Sequence, residues 1–230
     1  MMFVQFKITL VEILLIINIG IFLILGFFSF NDFEYLINIL SLNTSLVYIG
    51  LVHQLFTFNF LHINPIHLIL NMFALYNIGH IVFEYYGFKK LFSTYVLSGI
   101  FAGLFTIIGS ILTTKEIVTI GASGAIFGMC GLLLGGSLKR NRFGVDLPIN
   151  FYSLGVYILI SILIGFSPGF NINNWAHLGG LIFGFIYGLT IDNSISIESK
   201  FSKTLSTILY FISVLVLTAS ILLSLYFLFL

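Results

Sequence analysis

Seven apolar stretches dominate the chain, each close to the roughly 20 residues that a helix needs to cross a bilayer. Of the 230 residues, 59% are hydrophobic and only 7% are charged. Soluble domains carry about 25% charged residues. A soluble fold of this length could not bury so much apolar surface. The sequence therefore predicts an all-α polytopic membrane protein.

Two longer segments interrupt the series of spans. The first, about 31–65, contains no lysine or arginine and is predicted to be an outer loop. The second, 192–204, is predicted to be a polar linker. The first apolar stretch is too long for a removable signal peptide, and it lacks the small-residue cleavage site. The seven spans are predicted at about 8–30, 66–85, 91–112, 123–138, 151–166, 175–191 and 205–230.

The basic residues predict the orientation, because lysine and arginine concentrate in the cytoplasmic connections of membrane proteins. With a cytoplasmic N-terminus and seven spans, eight of the nine basic residues lie on the cytoplasmic side, and only Lys115 lies outside. The spans that begin near Ser123 and Trp175 then start at the outer surface. The basic residues are Lys7, Lys89, Lys90, Lys115, Lys139, Arg140, Arg142, Lys200 and Lys203.

Two spans carry a glycine face that begins with a potentially reactive residue, Ser123 in one and His177 in the other. Spacings of three and four residues place the glycines on one side of each helix, where small residues let two backbones touch. If the faces meet, serine and imidazole converge near the outer surface. The pattern alone leaves catalysis and plain packing open. The glycines are Gly124, Gly128, Gly131 and Gly135 after Ser123, and Gly180, Gly184 and Gly188 after His177.

Polar side chains inside spans are costly to bury, and they mark functional sites when they have partners. His67 and Asn71 are four residues apart and lie on one face of the second span. Interhelical hydrogen bonding would by itself account for them. Both, however, lie at the outer depth predicted for Ser123 and His177. This coincidence favours a single polar site at the outer boundary.

Three further residues are given structural roles. Cys130 lies in an apolar span and is predicted to be a buried packing residue rather than a metal ligand. His53 and His80 are predicted to be interfacial residues bonded to water or lipid headgroups. The sequence predicts neither a metal nor a cofactor. The net charge of +1 gives no indication of a nucleic acid partner.

Four ordered motifs give the chain a family resemblance. They lie on the predicted second, fourth and sixth spans and cover about 52–192. Each motif alone is loose, whereas the ordered set is highly specific. With this set the chain resembles the rhomboid intramembrane serine proteases. The motifs are His62-x4-His67-x3-Asn71, Gly79-x4-Glu84-x2-Gly87, Gly121-Ala122-Ser123-Gly124 and Ala176-His177-Leu178-Gly179-Gly180.

The resemblance implies roles for individual residues. Ser123 would be the nucleophile and His177 its general base. His67, Asn71 and the backbone N–H of Ser123 would stabilise the oxyanion. Single-pass or polytopic membrane proteins in the lipid bilayer would be the substrates.

The resemblance also implies an architecture. Residues 1–191 would form a rhomboid-like core of six transmembrane helices. The linker 192–204 and a helix at 205–230 would add the extra C-terminal span that some members carry.

The organism is predicted to be bacterial and the location its plasma membrane, while the oligomeric state stays open. The breaker-rich loop 167–174 is predicted to be a mobile cap over the site.

A Ser–His pair is chemically coherent without a third residue. A serine hydroxyl is a poor nucleophile until a base accepts its proton, and a neutral imidazole can take that proton and return it to the leaving amine. No Asp or Glu lies near His177 in the sequence, and Glu84 is expected at the opposite membrane face. The sequence therefore predicts a dyad rather than a triad.

The chain departs from the family pattern at two places. Many members have a Trp-Arg pair in the first outer loop, where this chain has His53 and Gln54. This difference leaves the anchoring of the loop open. A tyrosine often follows the nucleophile by four residues and packs on the catalytic imidazole. Here Phe127 keeps the ring without the hydroxyl, so the ring packing is predicted to survive.

Two other classes of function remain as alternatives. A transporter or channel would use a polar site at mid-depth, formed by broken helices paired across internal repeats. The sequence contains neither feature. A non-catalytic scaffold would bind membrane helices without cutting them. The reactivity of Ser123 would separate a protease from both.

Overall fold

The computed structural model describes residues 8–138, 151–165, 172–193 and 198–229, and most of them are helical. The all-α prediction is confirmed. The helices are α1 (Leu10–Leu25), α2 (Phe30–Leu40), α3 (Thr44–Tyr48), α4 (Gln54–Thr57), the 3-10 turn η1 (Phe58–Phe60), α5 (Pro65–Thr113), α6 (Ser123–Leu138), α7 (Phe151–Gly165), α8 (Asn174–Thr190) and α9 (Lys200–Leu228). Two short strands, β1 (Leu42–Asn43) and β2 (Val118–Thr119), complete the described elements.

Helix α5 contains the second and third predicted spans, separated by a break at Gly87. This glycine has φ 74° and ψ 179°, a backbone conformation that residues with a Cβ rarely adopt. The start of α5 is fixed by Asn64, whose side chain accepts a hydrogen bond from the backbone N–H of His67, and by Pro65 at the first helical position. The two limbs of α5 are residues 65–86 and 88–113.

Contacts to α6 show that the two limbs of α5 run in opposite directions. His67 in the first limb and Ala102 in the second both lie close to the glycines that flank Ser123. The break lies at the other end of α6, where the Tyr86 hydroxyl donates to the carbonyl of Leu132. Both limbs therefore reach the Ser123 end of α6, where the first limb brings the polar side chain of His67.

The glycine faces of α6 and α8 are in direct backbone contact. A Cβ added at Gly180 would collide with the carbonyl oxygen of Gly124, and one added at Gly184 with that of Gly128. A Cβ added at Gly124 would itself lie 2.5 Å from the Cβ of Ala102 in α5. Helix α6 is therefore at the centre of the fold and is buried over nearly its whole length.

Residues 31–65, predicted as a loop, contain much of α2 together with β1, α3, α4 and η1. Strand β1 pairs antiparallel with β2, so that Leu42 lies opposite Thr119. The carbonyl of Phe58 accepts a hydrogen bond from the backbone N–H of Gly121, at 2.9 Å. The segment therefore binds directly to the residues that lead into α6.

Helix α9 begins at Lys200, within the stretch predicted as linker, because the side chain of Ser199 accepts from the Ser202 N–H and caps it. It packs along α5, and its C-terminal end contacts α2 and α4. Helices α5 and α9 are long and apolar enough to cross a membrane, while α1 and α6 are shorter apolar helices. The count of seven spans stays a prediction.

A buried polar cluster joins α5, α8 and α9 at the end of α6 opposite Ser123. Lys90, just after the α5 break, donates from Nζ to the carbonyl of Asp192 at 2.8 Å and lies 2.9 Å from Glu198 Oε1. Asp192 accepts hydrogen bonds from both the N–H and the hydroxyl of Ser199. The ends of three helices are thus held together by one lysine and two carboxylates.

Of the two histidines predicted to be interfacial, His53 contradicts the prediction, whereas that for His80 stays a prediction. His53 is 1% exposed, so the prediction of an interfacial residue is wrong. His80 is half-exposed and pairs with Glu12 of α1, the Nε2–Oε1 distance being 3.0 Å. The basic stretch 139–142 and most of the 167–174 loop lie outside the described residues.

Candidate active site

Ser123 and His177 meet at the end of the glycine contact between α6 and α8. His177 Nε2 lies 2.9 Å from Ser123 Oγ. In the tautomer that carries its proton on Nδ1, Nε2 accepts a hydrogen bond from the serine hydroxyl. His177 is buried, and among the described residues its Nδ1 has no hydrogen-bond partner. The pair has the distance and atoms required of a nucleophile and its base.

The ring of Phe127 holds the imidazole from one side. The two rings are stacked with their centroids 4.0 Å apart and an angle of 6° between their planes. Phe127 follows Ser123 by one helical turn, so its side chain lies on the same face of α6. Stacking keeps the His177 ring in the plane that directs Nε2 at the serine. The hydroxyl that many rhomboids have at this place is not needed for this contact.

His67 and Asn71 approach the same site from the first limb of α5. A Cβ added at Gly121 would lie 2.7 Å from Cε1 of His67 and 4.0 Å from Nδ2 of Asn71. Gly121 has φ +123° and directly precedes the Ala122–Ser123 turn. Its lack of a side chain therefore lets the His67 imidazole approach the backbone beside Ser123, and the Asn71 amide lies just beyond. Asn71 is 6% exposed and donates from Nδ2 to the carbonyl of His67 at 2.9 Å.

The other histidine of the His62-x4-His67-x3-Asn71 motif lies one layer away. The ring of His62 is buried and lies 5.1 Å from that of His67, centroid to centroid. It precedes the Asn64 cap of α5, and the planes of the two rings are tilted by 58° to one another. His62 is therefore in contact with His67, whereas His67 itself lies beside Gly121.

Asn173, a residue that the sequence reading did not single out, caps α8 four residues before His177. Its Oδ1 accepts from the N–H groups of Trp175 and Ala176, and its Nδ2 lies 2.7 Å from each of Thr106 Oγ1 and Thr119 Oγ1. The signal available in the sequence was the N-cap preference of asparagine just ahead of a helix.

His53 and Gln54 anchor the segment 31–65 at the place where many rhomboids have Trp-Arg. Gln54 Nε2 donates to the carbonyls of Asn38 and Ile39, at 2.8 and 3.1 Å, and its Oε1 accepts from the N–H of Asn43. His53 Nε2 lies 3.0 Å from the Ile39 carbonyl. Burial lowers the pKa of His53 below its usual range, so its ring is neutral at pH 7. The anchoring left open by the sequence is thus made by hydrogen bonds to the end of α2.

The remaining ionisable groups give no sign of a metal centre. In the described part of the chain, no group of three or more His, Cys, Asp or Glu side chains lies close enough to hold an ion. Cys130 is fully buried in α6. Glu84 is exposed and lies next to the α5 break, at the end of the fold opposite Ser123.

Comparison with known proteins identifies the family of the chain. The family model of the rhomboid domain matches residues 49–194. RHOMBOID-like protein 1 of Arabidopsis thaliana is 33% identical over 142 residues, 60% of this chain and 34% of that protein. Rhomboid protease GluP of Bacillus subtilis (strain 168) is 34% identical over 128 residues, 54% of this chain and 23% of the relative. Rhomboid-like protease 3 of Toxoplasma gondii is 32% identical over 126 residues, 54% of this chain and 46% of the relative.

The family domain matches more than half of the chain and contains all the residues gathered at the site. The chain spans less than half the length of each of these three relatives. The match to the rhomboid domain, together with the apolar helices, supports an integral membrane protein. The protein is a member of the rhomboid family.

Proposed function

We propose that this protein is an intramembrane serine endopeptidase that hydrolyses peptide bonds in or near the transmembrane segments of other membrane proteins. The observation that carries the proposal is the 2.9 Å contact between Ser123 Oγ and His177 Nε2. Two of the relatives are named as proteases, one from Bacillus subtilis and one from Toxoplasma gondii. A burial as deep as that of His177 favours a neutral imidazole ready to accept a proton.

The reaction follows from the positions of these two side chains. As Ser123 Oγ bonds to the scissile carbonyl carbon, its proton passes to Nε2 of His177. The tetrahedral intermediate collapses, the C–N bond breaks, and the imidazolium returns the proton to the leaving amine. Water, deprotonated by the same imidazole, then hydrolyses the acyl-enzyme and restores Ser123. Stacking on Phe127 keeps the ring aligned throughout.

Negative charge on the intermediate needs fixed donors, and a donor counts for more in a site that excludes water. We assign this role to the Asn71 amide, the His67 ring N–H and the backbone N–H of Ser123. The close approach of His67 and Asn71 to Gly121 supports the assignment. Removing one such donor typically costs roughly 10²–10³ in turnover. Asn71→Ala should lower turnover by an amount in this range, while Ser123 of the variant still reacts slowly with a fluorophosphonate.

The proposal includes the orientation of the chain in the membrane. The basic residues favour a cytoplasmic N-terminus, which puts Ser123 near the extracytoplasmic surface. A reporter fused after Asn174 should then be extracytoplasmic, and one fused after Arg142 cytoplasmic. Two reporters on the same side of the membrane would contradict the topology of seven spans. The relatives come from Arabidopsis thaliana, Bacillus subtilis and Toxoplasma gondii, so a bacterial plasma membrane stays a prediction.

The substrate must expose its backbone before it is cut. A membrane-spanning helix has its backbone groups bonded internally, and the bilayer core offers them no other partner. Attack by Ser123 therefore needs a segment that unwinds near its outer end. Glycine and proline destabilise helices by about 1 and 3 kcal/mol relative to alanine. A substrate with such a residue just beyond a small residue at the cut should be cleaved, whereas a uniform leucine span should resist.

The decisive experiment uses a serine-reactive fluorophosphonate on the purified membrane protein. We expect wild-type protein to be labelled and to cut a model substrate, and Ser123→Ala to do neither. His177→Ala should lose as much activity as the double variant, because nucleophile and base act as a unit. A transporter or a scaffold would not be labelled at Ser123. A folded Ser123→Ala variant that still cuts would end the proposal.

A further inference from the structure

The side chain of Asn173 makes four polar contacts around the start of α8. Its Oδ1 accepts from the N–H of Trp175 at 3.1 Å and from that of Ala176 at 3.3 Å. Its Nδ2 donates to Thr106 Oγ1 and to Thr119 Oγ1, both at 2.7 Å. The amide therefore caps α8 with its oxygen and contacts two other elements with its nitrogen.

Chemistry allows only one orientation of this amide. Backbone N–H groups can only donate, so the atom facing Trp175 and Ala176 must be the oxygen. The Thr106 hydroxyl donates to the carbonyl of Ala102 at 2.9 Å, as threonines in helices commonly do. Its oxygen is then left to accept from the Asn173 amide. Thr106 is fully buried in the second limb of α5, so this hydrogen bond is shielded from water.

The contact with Thr119 joins the two chain segments that lead to the reacting residues. Thr119 ends β2, four residues before Ser123, and is held in place by its pairing with Leu42. Asn173 precedes His177 by four residues, and its carbonyl accepts from the His177 N–H at 3.3 Å. One side chain thus spans from the approach to the nucleophile to the first turn of the helix that carries the base.

We propose that Asn173 is a positioning residue for catalysis, which fixes the separation of Ser123 and His177 by tying the N-terminus of α8 to β2 and α5. The inference rests on the proposed protease function. Backbone contact between α6 and α8 fixes the distance between the helix axes. The first turn of α8 precedes Gly180, and there the Ala176 carbonyl approaches Gly124 and the Trp175 ring packs on Gly109 of α5. The hydrogen bonds from Asn173 to Thr106 and Thr119, which we call the Asn173 bridge, act on that turn. A small displacement of His177 there would greatly lower the rate of cleavage.

A cap and a bridge can be separated by substitution. Serine caps helices about as well as asparagine does, but its side chain is too short to reach Thr106 and Thr119 while capping. Asn173→Ser therefore keeps the cap and removes the bridge, whereas Asn173→Ala removes both. Thr119→Val removes one acceptor of the bridge with little change in shape. Asn77→Ser, at an exposed position of α5, is the matched control.

The test measures kcat and KM for cleavage of a model transmembrane substrate, together with the thermal unfolding midpoint of each variant. Asn173→Ser and Thr119→Val should each lower kcat about tenfold with KM nearly unchanged, because substrate contacts are not touched. The double variant should also lose about tenfold rather than a hundredfold, since both changes break one bridge. Asn77→Ser should match the wild type, and Asn173→Ser should lower the midpoint less than Asn173→Ala does, because only the alanine variant also loses the cap.

The outcomes separate this inference from the function on which it rests. If wild-type protein neither cuts nor reacts with a fluorophosphonate, the protease proposal fails and the positioning role fails with it. If wild-type protein cuts but the losses of Asn173→Ser and Thr119→Val multiply, the function stands and the bridge is overturned. Full activity of Asn173→Ser would reduce Asn173 to a helix cap. If Asn173→Ser does not fold, Thr119→Val and Thr106→Val still test the bridge, because each removes one hydroxyl group that accepts a hydrogen bond from Asn173.

Discussion

Helices α6 and α8 are joined backbone to backbone, whereas α9 is joined to α5 through side chains. Gly180 and Gly184 of α8 lie against the carbonyl oxygens of Gly124 and Gly128 in α6. In the α9 contact, the ring of Tyr210 lies 5.5 Å from that of Phe92 and 6.1 Å from that of Phe88, centroid to centroid. Helix α9 turns a row of serines towards its neighbour and leaves most of its large apolar side chains exposed.

The difference matches what each contact has to hold. A backbone contact cannot adjust, since no side chain can change its rotamer to accommodate a shift. It therefore suits the helices whose ends must hold Ser123 and His177 in hydrogen-bond contact. A contact through long side chains can adjust, and α9 relies on anchors at its two ends. These are the Lys90–Glu198 pair at one end and the stacking of Phe227 on His53 at the other, with ring centroids 5.2 Å apart.

The largest effect is expected from Gly184→Ala, which tests the backbone contact between α6 and α8. The added methyl group would meet the backbone of Gly128, which cannot move without separating the two helices. We expect a loss of stability of about 3 kcal/mol or more and a loss of activity of at least about 10²-fold, because Ser123 and His177 would part. Cleavage assays and thermal unfolding measure the two effects. Gly20→Ala in α1, where the new Cβ would meet nothing within 4 Å, is the control and should behave as wild type.

The next largest effect should come from Lys90→Met, at the anchor that precedes the start of α9. The Lys90 side chain is 4% exposed and that of Glu198 19% exposed, so removing the ammonium leaves a largely buried carboxylate without its ion-pair partner. Breaking such a pair costs about 3–5 kcal/mol, and the lower end applies because Glu198 is partly solvated. Thermal unfolding should detect this loss. Activity per folded molecule should fall far less than in Gly184→Ala, because the anchor lies at the end opposite Ser123.

Two further variants check the assignment of this effect to a buried charge. Adding Glu198→Leu to Lys90→Met should recover most of the lost stability, since no charge is then left unpaired. Lys89→Met removes a neighbouring exposed ammonium whose nearest hydrogen-bond acceptor, Thr207 Oγ1, is 3.4 Å away, and it should change stability by less than about 1 kcal/mol. Equal losses at Lys89 and Lys90 would attribute the effect to general surface charge.

A smaller effect is expected at Phe127, which supports the imidazole through ring contact alone. Aromatic stacking contributes about 0.5–1.5 kcal/mol beyond burial, which corresponds to a two- to twelvefold change in rate. Phe127→Leu should therefore lower kcat by up to about tenfold while the protein stays folded. Phe127→Tyr keeps the ring and should retain near wild-type turnover. A Leu variant with unchanged kcat would show that the α6–α8 contact alone orients His177.

The sequence predicted the parts of the fold that repeat at helical spacing. Glycines at steps of three and four predicted the α6–α8 faces, and the i, i+4 spacing of His67 and Asn71 predicted their common face. The structure brings these groups together beside Gly121. The order within residues 31–65 was not predicted, because short helices there are held by single contacts such as that of Gln54 with Asn43. The double role of Asn173 depends on partners 54 and 67 residues away in the chain, which no local pattern reveals.

The smallest expected effect is at the anchor near the C-terminal end of α9, and it tests most directly how the α9 contact differs from the α6–α8 contact. Phe227 stacks on His53, and Tyr35 donates weakly to the Phe227 carbonyl at 3.4 Å. His53 and Gln54 still bond to the end of α2 without Phe227. Phe227→Ala should therefore destabilise the segment 31–65 by only about 0.5–1.5 kcal/mol. We expect faster hydrogen exchange in residues 53–57 and a change in kcat of less than about threefold. Phe229→Ala, which truncates a side chain 87% exposed, should change neither. A loss in Phe227→Ala as large as that in Gly184→Ala would mean that α9 holds the active site as rigidly as α8 does.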